Sequence, residues 1–196
     1  MRRDPGELRR IITRLAGAHA GLFTAAQALG AGYSYPAQHS HVQQGDWIRV
    51  DRGIFRLADW PADGRPDLVR WTLWSEGAAI ISHDSALAVH ELGDVVPART
   101  HVTLPPGVRR RSGSLAIHHA AIPDADVEDH GGYRVTRPLR SLVDCAADHL
   151  EVDLLAGAID DALRRHLVAT DELLAAAVAR PGAEASLRLA LGQLGA

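Results

Sequence analysis

Three arginines surround one glycine in the stretch from Trp47 to Leu57: Arg49, Arg52 and Arg56 about Gly53. Guanidinium groups at that density suit phosphate oxygens, which they hold by charge-assisted hydrogen bonds. Immediately upstream, a polar run carries Ser34, Tyr35, Gln38, His39, Ser40, His41, Gln43 and Gln44. These side chains can exchange hydrogen bonds with base edges, and Gln pairs with adenine through two such bonds in the major groove. The run holds no arginine, so it offers no bidentate contact to guanine. The candidate nucleic-acid contacts are therefore Ser34, Tyr35, Gln38, His39 and Gln43, with Arg49, Arg52 and Arg56 for the phosphates.

Those residues need a frame, and the flanking sequence predicts one. Glu7 to Ala16 puts Leu8, Ile11, Ile12 and Leu15 on one helical face, with Arg9, Arg10 and Arg14 largely elsewhere. Thr24-Ala25-Ala26-Gln27 has the pattern of a capping box and opens a helix to about Leu29. Gly30 and Gly32 provide a turn, Ser34 is placed as an N-cap, and Pro36 fits the first turn of the next helix. Alternation over Trp47–Val50 and Ile54–Leu57 then predicts a hairpin in which Gly53 takes a left-handed backbone. Helix, capped helix, turn, helix and hairpin in this order describe a winged helix-turn-helix, which gives one helix to the major groove and the hairpin to the phosphates beside it. The same residues also suit a polar helix and a solvated hairpin in a head that binds protein.

Charge separates the head from the rest. Residues 1–60 hold eight Arg against five Asp or Glu, a balance of +3, and the remainder holds thirteen against nineteen, a balance of −6. A Debye length of about 8 Å in physiological salt keeps the acidic part from cancelling the positive field. With 46% hydrophobic and 23% charged residues, the chain has the composition of an ordinary globular protein rather than a disordered one. Its single cysteine, Cys145, sits in the apolar run Leu142–Ala147 and offers no disulfide framework. Met1–Arg10 has no apolar core after its charges, and no stretch reaches the ~18 apolar residues of a membrane span. The expectation is a cytoplasmic protein with no membrane contact.

Asp59–Pro66, with Pro61, Gly64 and Pro66, reads as the boundary between a head of residues 1–60 and a second unit of residues 67–196. The second unit shows helical patterns at Asp67–Ser75 and Ser82–Leu92, then strands at His101–Leu104, Leu115–His119 and Tyr133–Val135. Helices come next at Arg137–His149, Val152–His166, Asp171–Ala179 (with Thr170 as its cap) and from Ala183. The fold class is α+β: a winged helix-turn-helix, then a mixed helix and sheet domain.

Chemistry of the catalytic kind finds less support. Ser82, His83 and Asp84 are adjacent at a helix start and do not face one another as a triad would, so Ser82 reads as a cap. Eleven histidines invite a metal, and His83 and His90 share a helical face while His118 and His119 point to opposite sides of a strand. None stands in the close cysteine, histidine and carboxylate spacing of a zinc site, and the chain has no lysine for a nuclease to use. No catalytic residue, metal or cofactor is expected, and a hydrolase using metal-bound histidines stands as the third reading, behind a DNA-binding head and a protein-binding one. Arg140 and Asp144, four apart on one helix, are candidates for a structural pair or a partner contact.

The runs GLFTAAQALGAGYS and VQQGDWIRVDRGIFRL resemble the amino-terminal domain of AbiEi-type antitoxins of type IV toxin-antitoxin systems. SHDSALAVHELG, HVTLP, the strand at His118, VTRPLRSLVDCAA and AIDDALRRHLVATDELLAA resemble the region after that domain in bacterial relatives, so the likeness spans roughly residues 7–190. The resemblance implies a repressor that binds double-stranded DNA at inverted repeats upstream of its own operon. It further implies a second unit associated with neutralising a cognate nucleotidyltransferase-like toxin. Gln38, His39, His41, Gln43 and Gln44 stand where the family carries an arginine-rich, leucine-bearing recognition helix.

Overall fold

In the computed structural model, which describes residues 4–61 and 64–195, the chain divides into two units. Arg2 and Arg3 of the basic head, and Ala62 and Asp63 of the expected boundary, lie outside the described residues. The first unit comprises the described residues through Ala78 together with His130–Tyr133, and the second holds the rest.

The first unit opens with α1 (Pro5–Gly17), where Asp4 accepts from the Gly6 amide and Pro5 needs no amide partner. Ile12 and Ala16 point from it into the core. A short strand, β1 (Leu22–Thr24), leads into α2 (Ala25–Ala31) through the expected capping box: Thr24 Oγ1 accepts from Gln27 N and Gln27 Oε1 from Thr24 N. Gly30 lies inside α2, so the turn rests on Gly32 alone, at φ 116 in the left-handed region. Ser34 caps α3 (Tyr35–Gln43); β2 (Trp47–Asp51), a turn with Gly53 at φ 73, and β3 (Ile54–Leu57) complete the wing.

The strands order as β1-β3-β2, all antiparallel, and pairing puts Phe23, Phe55, Trp47 and Leu57 on the face toward the three helices. Trp47 is the centre of that core, with Phe23 edge-on at 4.8 Å, Tyr33 at 5.0 Å and His41 stacked at 4.8 Å. Such aromatic pairs add about 0.5–1.5 kcal/mol each beyond area burial. The opposite sheet face carries Leu22 and Ile54, both buried, and α4 (Pro66–Trp74) packs on β1 and β3. The expected start of the second unit at Asp67 therefore shifts: an apolar second sheet face needed a cover, and α4, with buried Leu68, Val69 and Trp71, supplies it.

The second unit runs β4 (Ile80–Ile81), α5 (His83–His90), β5 (Thr100–Leu104), β6 (Leu115–His119), β7 (Val127–Asp129) and β8 (Arg134–Thr136). Then come α6 (Pro138–Ala147), α7 (Val152–Arg164), α8 (Thr170–Val178) and α9 (Ala183–Leu194). Its sheet has the order β6-β5-β4-β8-β7, with β5 parallel to β6 and β4 parallel to β8. Leu87, Leu142, Leu155, Ile159, Leu173 and Leu187 meet in a helical core. Helix, strand and pairing together make the fold α+β. Two expected caps differ. Ser82 makes no capping bond, because its hydroxyl is used by His83 and Thr103. Thr170 is the first residue of α8, whose start is tied instead by Glu172 accepting from the Ala169 amide.

Candidate nucleic-acid interface

Helix α3 turns a strip of side chains outward at four-residue spacing: Tyr35, His39 and Gln43 all face away from the core, Tyr35 being 65% exposed. Among the described residues no hydrogen bond engages these three side chains, so their polar groups are available to a ligand. Ser34 is exposed at the head of the helix, where its hydroxyl accepts from Ala37 N at 3.4 Å. The inward side is fixed by polar contacts beside the apolar packing of Ala37 and Val42. His41 meets Asp46 at 2.8 Å while lying on Trp47, which clamps the end of α3 to the start of β2.

Gln38 does not belong with the outward set. Its side chain is buried, and its amide donates to the carbonyls of Ala25 at 3.2 Å and Tyr33 at 3.0 Å. Those bonds tie α3 to the start of α2 and to the turn, and its Oε1, buried without a partner, is closed off from a base. The sequence pattern missed this because Gln is as polar inside as outside; only the helix phase distinguishes them.

The three arginines divide as well. Register pairs Arg49 with Phe55 and Arg56 with Ile48, so Arg49 and Arg56 project from opposite faces of the hairpin. Arg49 is exposed on the face that α3 packs against, with its guanidinium 5.5 Å from the Phe55 ring. Arg52 is exposed at the turn, its amide held by Asp51 Oδ1. Arg56 is half-buried on the face that α4 covers, and its Nε is buried without a hydrogen-bond partner. The expected single patch of Arg49, Arg52 and Arg56 is thus Arg49 and Arg52, since residues directly opposite across a strand pair share a face and their chain neighbours take the other.

An open cleft of about 1370 Å³ in the head is lined by Asp4, Asp46 and Asp59 together with Arg9, Tyr33 and Trp47. Its carboxylates disfavour phosphate, and Arg9 is already paired with Asp59 at 3.1 Å.

Arg140 and Asp144 lie in the second unit, inside a part-buried ion network. Arg140 Nε donates to Asp144 Oδ2 at 2.8 Å and its Nη1 to Asp126 Oδ2 at 3.1 Å, while Arg180 pairs with the other Asp144 oxygen. The Asp144 side chain is 2% exposed, which suits a structural clasp joining α6 to the approach to β7 and the end of α8. Burial pushes its carboxyl pKa up, and the Arg140 hydrogen bond pulls against that.

The histidines regroup in a way that chain spacing does not foretell. His90, expected to share a face with His83, contacts the Thr136 carbonyl at 2.7 Å. His83 instead meets His101 and His118, and one ring nitrogen from each of the three lies within 4.8 Å of the others. Burial, then the neighbouring charges of His118, His101 and Arg140, brings the His83 pKa down to about 3; burial also lowers that of His118. Ser82, His83 and Asp84 do not form a triad, because Asp84 turns to His101 at 3.8 Å and accepts from Cys145 Sγ at 3.6 Å. Nothing local marks His101, since its neighbours come from elements far away in the chain.

Comparison with known proteins agrees with this architecture. The crystal structure of the RV2827C protein from Mycobacterium tuberculosis aligns with a TM-score of 0.62 at 17% identity, over 97% of this chain and 79% of that one. At that identity the likeness is one of fold. No curated protein matches the chain. No helix among the described residues is long and apolar enough to cross a membrane. Residues 10–58, from α1 through the hairpin, match the family described as transcriptional regulator, AbiEi antitoxin, the family that the sequence resembles.

Proposed function

We propose that this protein is a DNA-binding transcriptional repressor of the AbiEi antitoxin kind. Helix α3 enters the major groove with Tyr35, His39 and Gln43 toward the base edges and Ser34 near the backbone. Arg49 and Arg52 hold adjacent phosphates, which sets the register without reading sequence. Two copies bind inverted repeats ahead of the operon, and the product restrains a nucleotidyltransferase-like toxin encoded with it. The observation that carries this reading is the outward strip of α3 beside the Arg49 and Arg52 hairpin, within the segment that matches a transcriptional-regulator family. Electrophoretic retardation of the protein's own promoter fragment tests it: binding that weakens steeply with salt is expected, and no retardation at modest ionic strength refutes it.

One observation favours a second reading. The exposed face of α3 has no arginine, so its affinity for DNA rests on the hairpin. A head that docks on protein needs no such cation, and tight binding to the neighbouring gene's product with no retardation of promoter DNA supports that alternative.

A further inference from the structure

In the second unit, His83, His101 and His118 come together from the start of α5, from β5 and from β6. The parallel register of β5 and β6 sets Thr103 opposite His118 and Ala116 opposite His101, so the two histidines are diagonal neighbours on one sheet face. Strand β4 pairs with β5 on its other side and delivers Ser82 and His83 to the same place, where Ser82 N donates to the His101 carbonyl. His83 takes a left-handed backbone at φ 51, unusual for a residue with a side chain. That conformation costs energy and turns its ring over His118.

We propose that His83, His101 and His118 bind a divalent transition-metal ion of the zinc class. His118 Nε2 lies 3.2 Å from His101 Nδ1. Two nitrogens, each about 2.0–2.1 Å from zinc at a tetrahedral angle, are separated by about 3.3 Å, so this pair already has the spacing of two ligands. His83 supplies the third nitrogen through Nε2, because its Nδ1 is engaged by Ser82 Oγ at 3.0 Å. The outer partners match those that orient ligating imidazoles. Asp84 Oδ2 faces the other ring nitrogen of His101 at 3.8 Å, and Thr103 Oγ1 donates to Ser82 Oγ at 2.8 Å. The His101 side chain is 17% exposed and that of Asp84 26%, which leaves a way in from solvent. Three protein ligands leave one tetrahedral position for water or a small anion.

The competing account is a stack of neutral histidines joined by one hydrogen bond. His83 and His118 lie nearly parallel, at 12° with centroids 3.6 Å apart, so their lone pairs converge only after the rings turn about χ2. The two accounts separate by experiment. The full chain, purified without a histidine tag and stripped with chelator, is titrated with Zn²⁺ alone by calorimetry and with Co²⁺ by visible absorption. The proposal expects one equivalent of either ion, with the intense visible bands of four-coordinate Co²⁺ that Zn²⁺ displaces. It expects His118→Gln to lose stoichiometric binding and Asp84→Asn to weaken it about 10–100-fold while keeping one equivalent. His119→Gln, on the other side of the same strand, keeps wild-type binding. Should His118→Gln fail to fold by circular dichroism, His101→Gln, at the ligand 3.2 Å from it, makes the same test. Less than stoichiometric uptake of both ions, or uptake that survives loss of His118 or His101, overturns the site.

Discussion

Replacing Arg49 and Arg52 together by Ala tests the division of the hairpin into two faces, and Arg56→Ala is its counterpart. Removing one phosphate-binding guanidinium lowers the steepness of log K against log salt by about 0.9 on duplex DNA, so the double variant should be shallower by about 1.8 per bound protomer. Two protomers on an inverted repeat double that to about 3.6. For one protomer, a fourfold rise in salt then weakens the parent about tenfold more than the variant. Arg56 projects from the face that carries Leu22 and Ile48, away from α3, so Arg56→Ala should leave the slope unchanged. Fluorescence anisotropy of a labelled promoter fragment across a salt series measures all three proteins. Thermal unfolding beside it confirms that parting Arg49 from the Phe55 ring has not cost the fold. A slope that falls for Arg56→Ala by as much per arginine as for the double variant refutes the assignment of faces, and a double variant with the parent's slope refutes phosphate binding by the hairpin.

The same geometry sets further outcomes. Gln38→Ala strips two carbonyls of their donor and should cost about 1–3 kcal/mol of stability in urea unfolding, with base preference unchanged while the head is folded. Gln43→Ala should do the reverse, leaving stability intact and removing about 1–3 kcal/mol of discrimination at one base pair in a binding-site selection. Arg140→Ala leaves Asp144 buried with fewer partners and should destabilise the fold by about 3–5 kcal/mol in the same assay. His83 is neutral in the fold down to about pH 3 but takes a proton below about 6.5 when unfolded, so its contribution is complete above pH 6.5 and is lost as pH falls toward 3. In chelator, His83→Gln should flatten the acid limb of the stability curve, a span on the order of 5 kcal/mol at most.

What was legible in the sequence was local. The capping box at Thr24, the cap at Ser34 and the left-handed Gly53 each depend on residues a few positions apart, and each stands in the structure where the pattern put it. The strands at His101–Leu104 and Leu115–His119 also fall within a residue of their observed bounds. Ile80–Ile81 went unread because two residues show no alternation, yet this short β4 joins β5 to β8 and carries the chain to His83. Polar character alone misplaced Gln38, because a buried amide with two carbonyl partners is indistinguishable in composition from an exposed one.

The histidine cluster fails to show in the sequence for a deeper reason. Zinc motifs are recognised when ligands sit on one turn or one hairpin, where spacing fixes distance. Here the spacing from His83 to His101 and on to His118 is set by which strand lies beside which. Had β6 slipped by one residue against β5, His118 would face away and His119 would take its place. The register that brings Thr103 opposite His118 decides it, and that register is fixed by long-range packing of Val102, Leu104 and Leu115, all buried. Charge division along the hairpin has the same origin: Arg49 and Arg56 are equivalent in a list of residues and become opposites only when β2 pairs with β3. The chemistry of each side chain can be read along the chain, but the company it keeps is settled by strand pairing.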